Sequence, residues 1–426
     1  MSAARARRAP QPPLALAYFG SLAPDIPRWR SRAFSPAGHL WQRGLLGGLS
    51  AAGLEADLIL GFPPFPAYPR GPLLVRPPSG PQSISGLPPV RLRGYLNLPL
   101  LKVLAIGARV SVELRRWARE NAHRTRVALL YNLSVPPAWL LAPVARSLGV
   151  HLAASLNDMW LPGTLAPSRL EQGIEFRLRR YALRHLSAAI VVSDAIATDF
   201  VPGIPHVRVE GGVFPEQLRA GVAAGDELRP FTVGLAGSLE PYNGVLEFLD
   251  AAEALEGSGM RFRIAGHGSL APEVTRRAAA CEAIDYVGAL ELGRMGEFYG
   301  SCDLLVSWRA TRSIDLRYVF PSKILELLAS GVPVLSTRMG QTLSGFGGHM
   351  WLSEDESVQA LVAGVRRAAE AGREQLQAMG EEAAAFMAEN FTWRHQGVRV
   401  RQLLEQALGV GSAESPERLT PEHERA

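Results

Sequence analysis

The sequence predicts an α/β protein made of two similar halves, each a parallel sheet covered by helices. Three observations carry this. The chain has 426 residues, too many for one ordinary core and suited to two domains of roughly 150–200 residues each. Apolar residues make up 47% of it, so two cores can be filled. Short β-rich runs alternate with helical stretches, as in βα units, and the alternation restarts after a polar, irregular segment.

The elements follow in order. Leu14 to Phe19 is apolar throughout, as a strand covered on both faces requires. Trp41 to Gly53 reads as a helix stopped by glycine, and Ala56 to Leu60 as the next strand. Arg126 to Tyr131, His151 to Leu156 and Ala189 to Val192 repeat the β-rich type, with helical stretches Ala138 to Leu148 and Leu170 to Leu186 between them. Ile204 to Val213 is a last strand ending in the turn Glu210-Gly211-Gly212. The second half opens with strand Phe231 to Ala236, helix Gly244 to Glu256 and strand Met260 to Ala265, then the turn Gly266-His267-Gly268. A helix near Pro272 to Cys281, strand Asp285 to Val287, helix Arg294 to Ser301 and strand Asp303 to Ser307 come next. Ser322 to Ser330 is a short helix, Val332 to Ser336 a strand, Ser357 to Glu389 largely helical and Trp393 to Leu408 a final helix.

This places a disordered Arg/Ala/Pro-rich lead-in at 1–13 and a first domain at 14–215. A linker at 216–229 joins it to a second domain at 230–390. A closing helix at 391–408 and a disordered charged tail at 409–426 follow. A cleft is expected between the two Rossmann-like halves, with ligands outside the carboxyl ends of the strands.

Composition narrows the function. The net charge of +5 suits phosphates or an anionic surface and is far from a nucleic-acid-binding run. Cys281 and Cys302 are the only cysteines, too few for a disulfide framework and without metal-site spacing, which fits a reducing cytoplasm. Nothing at the amino end reads as a secretory signal, and no run of about 18 apolar residues suits a membrane span. Tyr95 to Val112 comes nearest, interrupted by Pro99, Lys102 and Arg109. It reads first as a buried or amphipathic helix and second as a membrane-docking segment. Only Lys102 and Lys323 are lysines among 45 basic residues, so a lysine inside a motif is a compositional surprise.

Lys323 is in such a motif, Val319 to Val334. Pro321 and Ser322 are helix start signals and Gly331 a stop. Lys323, Glu326 and Ser330 then share one face, while Ile324, Leu325, Leu327 and Leu328 cover the sheet side. A helix start with a lysine beside it suits a diphosphate, and a carboxylate one turn deeper can accept from both ribose hydroxyls. The plainer alternative is a surface Lys–Glu ion pair of little worth.

The segment resembles the "Pro-x-Lys, Glu, Ala-x-Gly-x-Pro-Val" signature of retaining glycosyltransferases of family 4, which have the GT-B fold of two Rossmann-like domains facing across a cleft. The resemblance runs over about 180 residues in family order. It takes in Gly234 to Leu239, Phe262 to Gly268, Asp285 to Leu290, Phe298-Tyr299 to Leu305 and Asn390 to Trp393. The first half fits loosely, through Val191-Val192-Ser193 and Glu210-Gly211-Gly212. The resemblance implies a hexosyltransferase using a UDP- or GDP-sugar, working in the cytoplasm without metal or other cofactor. Its acceptor would be a hydroxyl of a saccharide or lipid-linked saccharide, as in polysaccharide biosynthesis; the mild basicity and the Tyr95 to Val112 segment would allow peripheral contact at the inner membrane face. Glu326 would bind the ribose, Gly288, Ala289 and Leu290 the base, and Gly237, Ser238, Gly266, Gly268 and Ser322 the rest of the donor. Any one of these glycines alone is equally explained by turn chemistry.

The sequence also departs from the family. Tyr318 stands eight positions before Glu326, where the family has a second glutamate. Ser238 and Asn243 replace the arginine and lysine that clamp the diphosphate. Lys323, with Arg309, Arg312 or Arg317 from the preceding loop, is expected to supply the cations. On the acceptor side, Gly38-His39 is expected in a small-residue loop. Asp158 could orient an acceptor hydroxyl or simply serve as a helix cap or turn aspartate. Two rivals stay open: a nucleotide-sugar epimerase of the same fold, and a non-catalytic partner that has lost the missing groups.

Overall fold

The computed structural model describes residues 14–24, 29, 33–99, 101–157, 159, 169–218, 229–309, 316–353 and 355–410. The segment expected to be disordered at 1–13, all but the first two residues of the one expected at 409–426, and most of the expected linker lie outside these. The described residues fall into two compact units, one running to Gly212 and resuming at Trp393, the other spanning Val213 to Thr392.

In the first unit β1 (Leu14–Gly20), α1 (Pro36–Ala51) and β2 (Ala56–Gly61) lead into a proline-rich excursion. It holds four short strands, β3 (Leu74–Val75), β4 (Pro81–Gln82), β5 (Val90–Leu92) and β6 (Tyr95–Leu96). Next come α2 (Leu101–Glu120), β7 (Thr125–Tyr131), α3 (Ala138–Ser147) and β8 (His151–Leu156). The series ends with α4 (Arg169–Leu183), β9 (Leu186–Val191), α5 (Asp194–Phe200) and β10 (His206–Arg208). The main sheet has the order β10-β9-β8-β7-β1-β2-β5-β4 and is parallel except for β4. Strand order reverses beside β1, the switch point of a doubly wound sheet. All seven residues of β1 are buried, as its central place demands. β3 and β6 pair antiparallel in a small separate sheet.

Two local readings change here. The first helix begins at Pro36 rather than Trp41, because Ser35 caps it, accepting from Gly38 N at 3.1 Å, and proline is at home in a first turn. The stretch Tyr95 to Val112 divides: Tyr95 and Leu96 form β6, and α2 starts past Pro99 and runs on to Glu120.

The second unit repeats the plan. Its elements are β11 (Thr232–Ser238), α6 (Val245–Ala254), β12 (Arg261–His267), α7 (Ala271–Ala278), β13 (Ile284–Tyr286), α8 (Met295–Gly300) and β14 (Leu304–Ser307). Then follow α9 (Lys323–Ala329), β15 (Val334–Thr337), β16 (Trp351–Ser353), α10 (Val358–Ala371) and α11 (Arg373–Asn390). The sheet order is β13-β12-β11-β14-β15-β16, all parallel, with the reversal between β11 and β14. Phe248 and Phe262 meet edge to face at 5.5 Å in the core. The long helical run expected from Ser357 is two helices, because Gly372 adopts φ 81° between them.

Asp303, 2% exposed, fastens the starts of β11 and β14. Its carboxylate accepts both terminal nitrogens of Arg229 at 2.9 and 2.6 Å, Arg373 Nε at 3.0 Å and Thr232 N at 2.8 Å. Four charge-assisted bonds on one buried carboxylate leave no lone pair idle. The last helix, α12 (Trp393–Ala407), belongs to the first unit and crosses α1 closely. A Cβ on Gly48 would lie 2.0 Å from Trp393 O, and one on Gly397 2.0 Å from Gly48 O.

Candidate functional site

In the second unit the expected donor residues gather at the carboxyl ends of the strands. Gly237 and Ser238 are the last residues of β11 rather than a turn, and Gly266 lies inside β12 as the register partner of Gly237. Gly266 has φ 150°, and a Cβ there would sit 1.9 Å from Gly237 O. Only glycine allows the two strand ends to run this close. Gly268 is held the same way, its Cβ direction meeting Leu239 O at 2.5 Å. Gly288 O accepts Gly266 N at 2.9 Å, continuing the rim to Ala289, which is exposed, and Leu290, which is half-buried. The Cβ directions of Gly237 and Gly288 meet nothing within 4 Å, so bare backbone faces outward at both. Ser238 is exposed, and its carbonyl accepts Asn243 Nδ2 at 2.7 Å.

α9 joins β14 to β15 as a crossover, so its first turn lies on this same rim. Ile324, Leu325, Leu327 and Leu328 are buried, as their spacing requires. The helix has seven residues, and the exposed Ser322 precedes it in helical conformation without a side-chain capping bond. Lys323 Nζ reaches Glu326 Oε2 at 2.9 Å, and Glu326 Oε1 accepts Tyr299 Oη at 2.8 Å. The ammonium also lies 5.4 Å from the centre of the Tyr299 ring. Burial, then the adjacent Glu326 carboxylate, push the Tyr299 phenol far above its usual range. It is therefore a permanent donor that fixes one oxygen of Glu326. Lys323 and Glu326 keep 30% and 21% side-chain exposure. An ion pair this accessible is worth about 0.5 kcal/mol, so a ligand can displace it. Ser330 turns away from that face: its hydroxyl donates to Leu327 O at 2.6 Å and accepts Val332 N at 3.3 Å, closing the helix end.

The cations of the preceding loop separate clearly. Arg309 follows β14, its amide donating to Thr337 Oγ1 at 3.1 Å. Burial pulls its guanidinium pKa down, partly offset by Tyr242, and among the described residues it has no carboxylate partner. Arg317 is exposed, 5.0 Å over the ring of the buried Tyr318. Arg312 and Asp158 lie outside the described residues. Gly38 and His39 are not in a loop: both lie in the first turn of α1, capped by Ser35. A Cβ on Gly38 would meet Tyr131 Oη at 2.5 Å, and His39 is buried with its ring 5.2 Å from Phe34.

Sequence reasoning used Tyr299 only as a motif mark and missed its partnership with Glu326. The available signal was a tyrosine in an apolar helix face, since a buried phenol needs an acceptor.

Residues 230–371 match the family model described as glycosyl transferases group 1. No curated protein matches the sequence. Among solved structures, HepE of Anabaena in complex with UDP is similar over 92% of this chain and 100% of its own, with 14% identity and a TM-score of 0.62. Sucrose-phosphate synthase from Thermosynechococcus elongatus is similar over 94% of this chain and 100% of its own, with 15% identity and a TM-score of 0.63. The pneumococcal O-GlcNAc transferase GtfA, in complex with UDP and GlcNAc, covers 77% of this chain and 67% of its own at 14% identity and a TM-score of 0.52. At such identities the likeness is one of fold. The chain thus has the GT-B fold of two Rossmann-like domains, and the match to the glycosyl transferases group 1 model falls within the second unit.

Proposed function

We propose that this protein is a retaining glycosyltransferase of family 4, moving a hexose from a UDP- or GDP-sugar to a hydroxyl of a saccharide or lipid-linked saccharide. The observation that carries the reading is the Lys323–Glu326–Tyr299 cluster on a rim of bare glycine backbone. Donor binding would replace the internal ion pair. The ribose hydroxyls take Oε2 of Glu326, and the freed Lys323 ammonium turns to the diphosphate. Arg309, desolvated and without a carboxylate partner among the described residues, is the second cation, in place of the pair absent at Ser238 and Asn243. Charge that builds on the leaving diphosphate is stabilised by both. As the anomeric C–O bond to phosphate breaks, the acceptor oxygen bonds the same face of that carbon. The acceptor proton passes to the departing phosphate oxygen. Two free, buried cysteines support a reducing, cytoplasmic setting.

The test incubates pure protein with UDP- and GDP-sugars, with and without saccharide acceptors, and follows release of nucleoside diphosphate. Acceptor-dependent release that Lys323→Ala lowers about 100-fold is the expected result; turnover untouched by that substitution would discard the assignment. A second reading, a non-catalytic partner of the same fold, is favoured by the buried Tyr318 and by Asn243, whose amide is spent on Ser238 O. Nucleotide binding without turnover on any donor would select it.

A further inference from the structure

Seven of the ten exposed large apolar side chains among the described residues fall between Tyr68 and Val112. They lie together. Leu74 is the direct register partner of Leu96 in the β3–β6 pair, while their neighbours Val75 and Tyr95 are buried. The pleat therefore sets both leucines on the outer face. Leu73 O accepts Asn97 N at 2.8 Å, and Tyr68 N donates to Asn97 O at 2.9 Å, tying two more exposed side chains to that ribbon. Asn97 is fully buried, its side-chain amide donating to Pro66 O and Pro72 O at 2.7 and 2.8 Å, so the surface is firmly built. α2 begins immediately beyond. It buries Ile106, Val110 and Leu114 on one face and leaves Leu101, Leu104 and Val112 exposed on the other.

The free charge of this region is basic, although Arg93 is paired with Glu113 at 2.6 Å. Between Asp57 and Glu113 the sequence holds six basic residues and no acidic one. Arg70, Arg76 and Arg109 are exposed. Lys102 is not spare: its ammonium donates to Phe65 O at 2.6 Å and lies 5.5 Å from the Tyr95 ring centre. The patch grows from the segment that leaves β2 at Gly61 and returns through β5 and β6. It therefore lies past the carboxyl ends of β2 and β5, on the ligand side of a parallel sheet.

Exposed leucines bordered by exposed arginines are the surface chemistry of an anionic bilayer. A second copy meeting this face symmetrically would set like charges against each other, and no helix among the described residues is long and apolar enough to cross a membrane. We propose that this face docks on an anionic lipid surface, leucines in the headgroup–acyl boundary and arginines on lipid phosphates. The docking does not depend on the transfer proposed above; where both hold, it brings a lipid-linked acceptor to the rim of the first unit.

The test sediments the full chain with vesicles of phosphatidylcholine alone or with phosphatidylglycerol. Binding at least about tenfold stronger to the anionic vesicles, and weakened by salt, is expected. The variant Leu74→Ser/Leu96→Ser/Leu104→Ser should lose about tenfold or more in binding, and Arg70→Gln or Arg76→Gln about fivefold each. All should keep the wild-type unfolding midpoint and nucleotide affinity. Wild-type protein left in the supernatant of anionic vesicles overturns the proposal, as does undiminished binding by the leucine variant. So does a dimer in sedimentation velocity that the leucine variant disperses while no vesicle binding occurs, which would give the face to a second copy.

Discussion

The two units share a doubly wound sheet, yet they fill their switch points in opposite ways. Beside β1 the space is closed by side chains. Gln42, 1% exposed, donates to Ser21 O and Gly38 O at 3.0 Å each and accepts the Tyr18 hydroxyl at 3.2 Å. A Cβ on Gly20 would strike its Oε1 at 2.2 Å. Beside β11 the space is bordered by backbone: Gly237 presents nothing outward, and Arg309 and Lys323 stand at the neighbouring element ends. Glycine in the first unit lets α1 and α12 touch; in the second it leaves strand ends uncovered. Topology alone therefore does not make a ligand site. The residues at the reversal decide it, and here they favour the second unit.

Substitutions can break this contrast, and the largest effect belongs to a purely structural residue. Asp303→Ala strips a buried carboxylate from two arginines and should cost about 3–5 kcal/mol, read as a lower midpoint in urea. Both cysteines lie in the second unit, and burial pushes the Cys302 thiol up to about 12. Alkylation at neutral pH should therefore be slow in the native protein and faster in Asp303→Ala, because only opening of that unit exposes a thiol that can ionise. The next effect is catalytic: Lys323→Ala, through its 100-fold loss of turnover, corresponds to about 2.7 kcal/mol with the midpoint unchanged. Gly48→Val forces α1 and α12 apart and should cost about 1–3 kcal/mol. It should leave nucleotide affinity and thiol alkylation as they were; a matching loss of nucleotide affinity would refute the separation of roles. Smallest is Tyr299→Phe, which frees one oxygen of Glu326 at a cost of about 0.5–1.5 kcal/mol. Isothermal titration should show a several-fold weaker nucleotide affinity, and unchanged affinity would remove Tyr299 from the site.

Legibility along the chain followed periodicity. His151–Leu156 was readable to the residue and β1 to within one, because buried parallel strands are continuous apolar runs. The strands between Phe62 and Leu100 were not, since two-residue pairings among prolines have no period to read. In the site, the Lys323–Glu326 pair followed from i, i+3 spacing on one helix. Tyr299 did not, because it meets Glu326 from a different helix 27 positions away.

By itself the sequence determined the βα alternation, the apolar face of α9 and the single lysine at its start, all of them local patterns of spacing. Only the folded chain settles that Gly237 lies open while Gly266 is wedged against it, that Asp303 gathers two arginines while Arg309 has no carboxylate partner among the described residues, and that Leu74 and Leu96 stand side by side on an outer face. Those outcomes depend on which distant segments become neighbours, and in a crossover-connected parallel sheet that is set by strand order rather than by spacing along the chain.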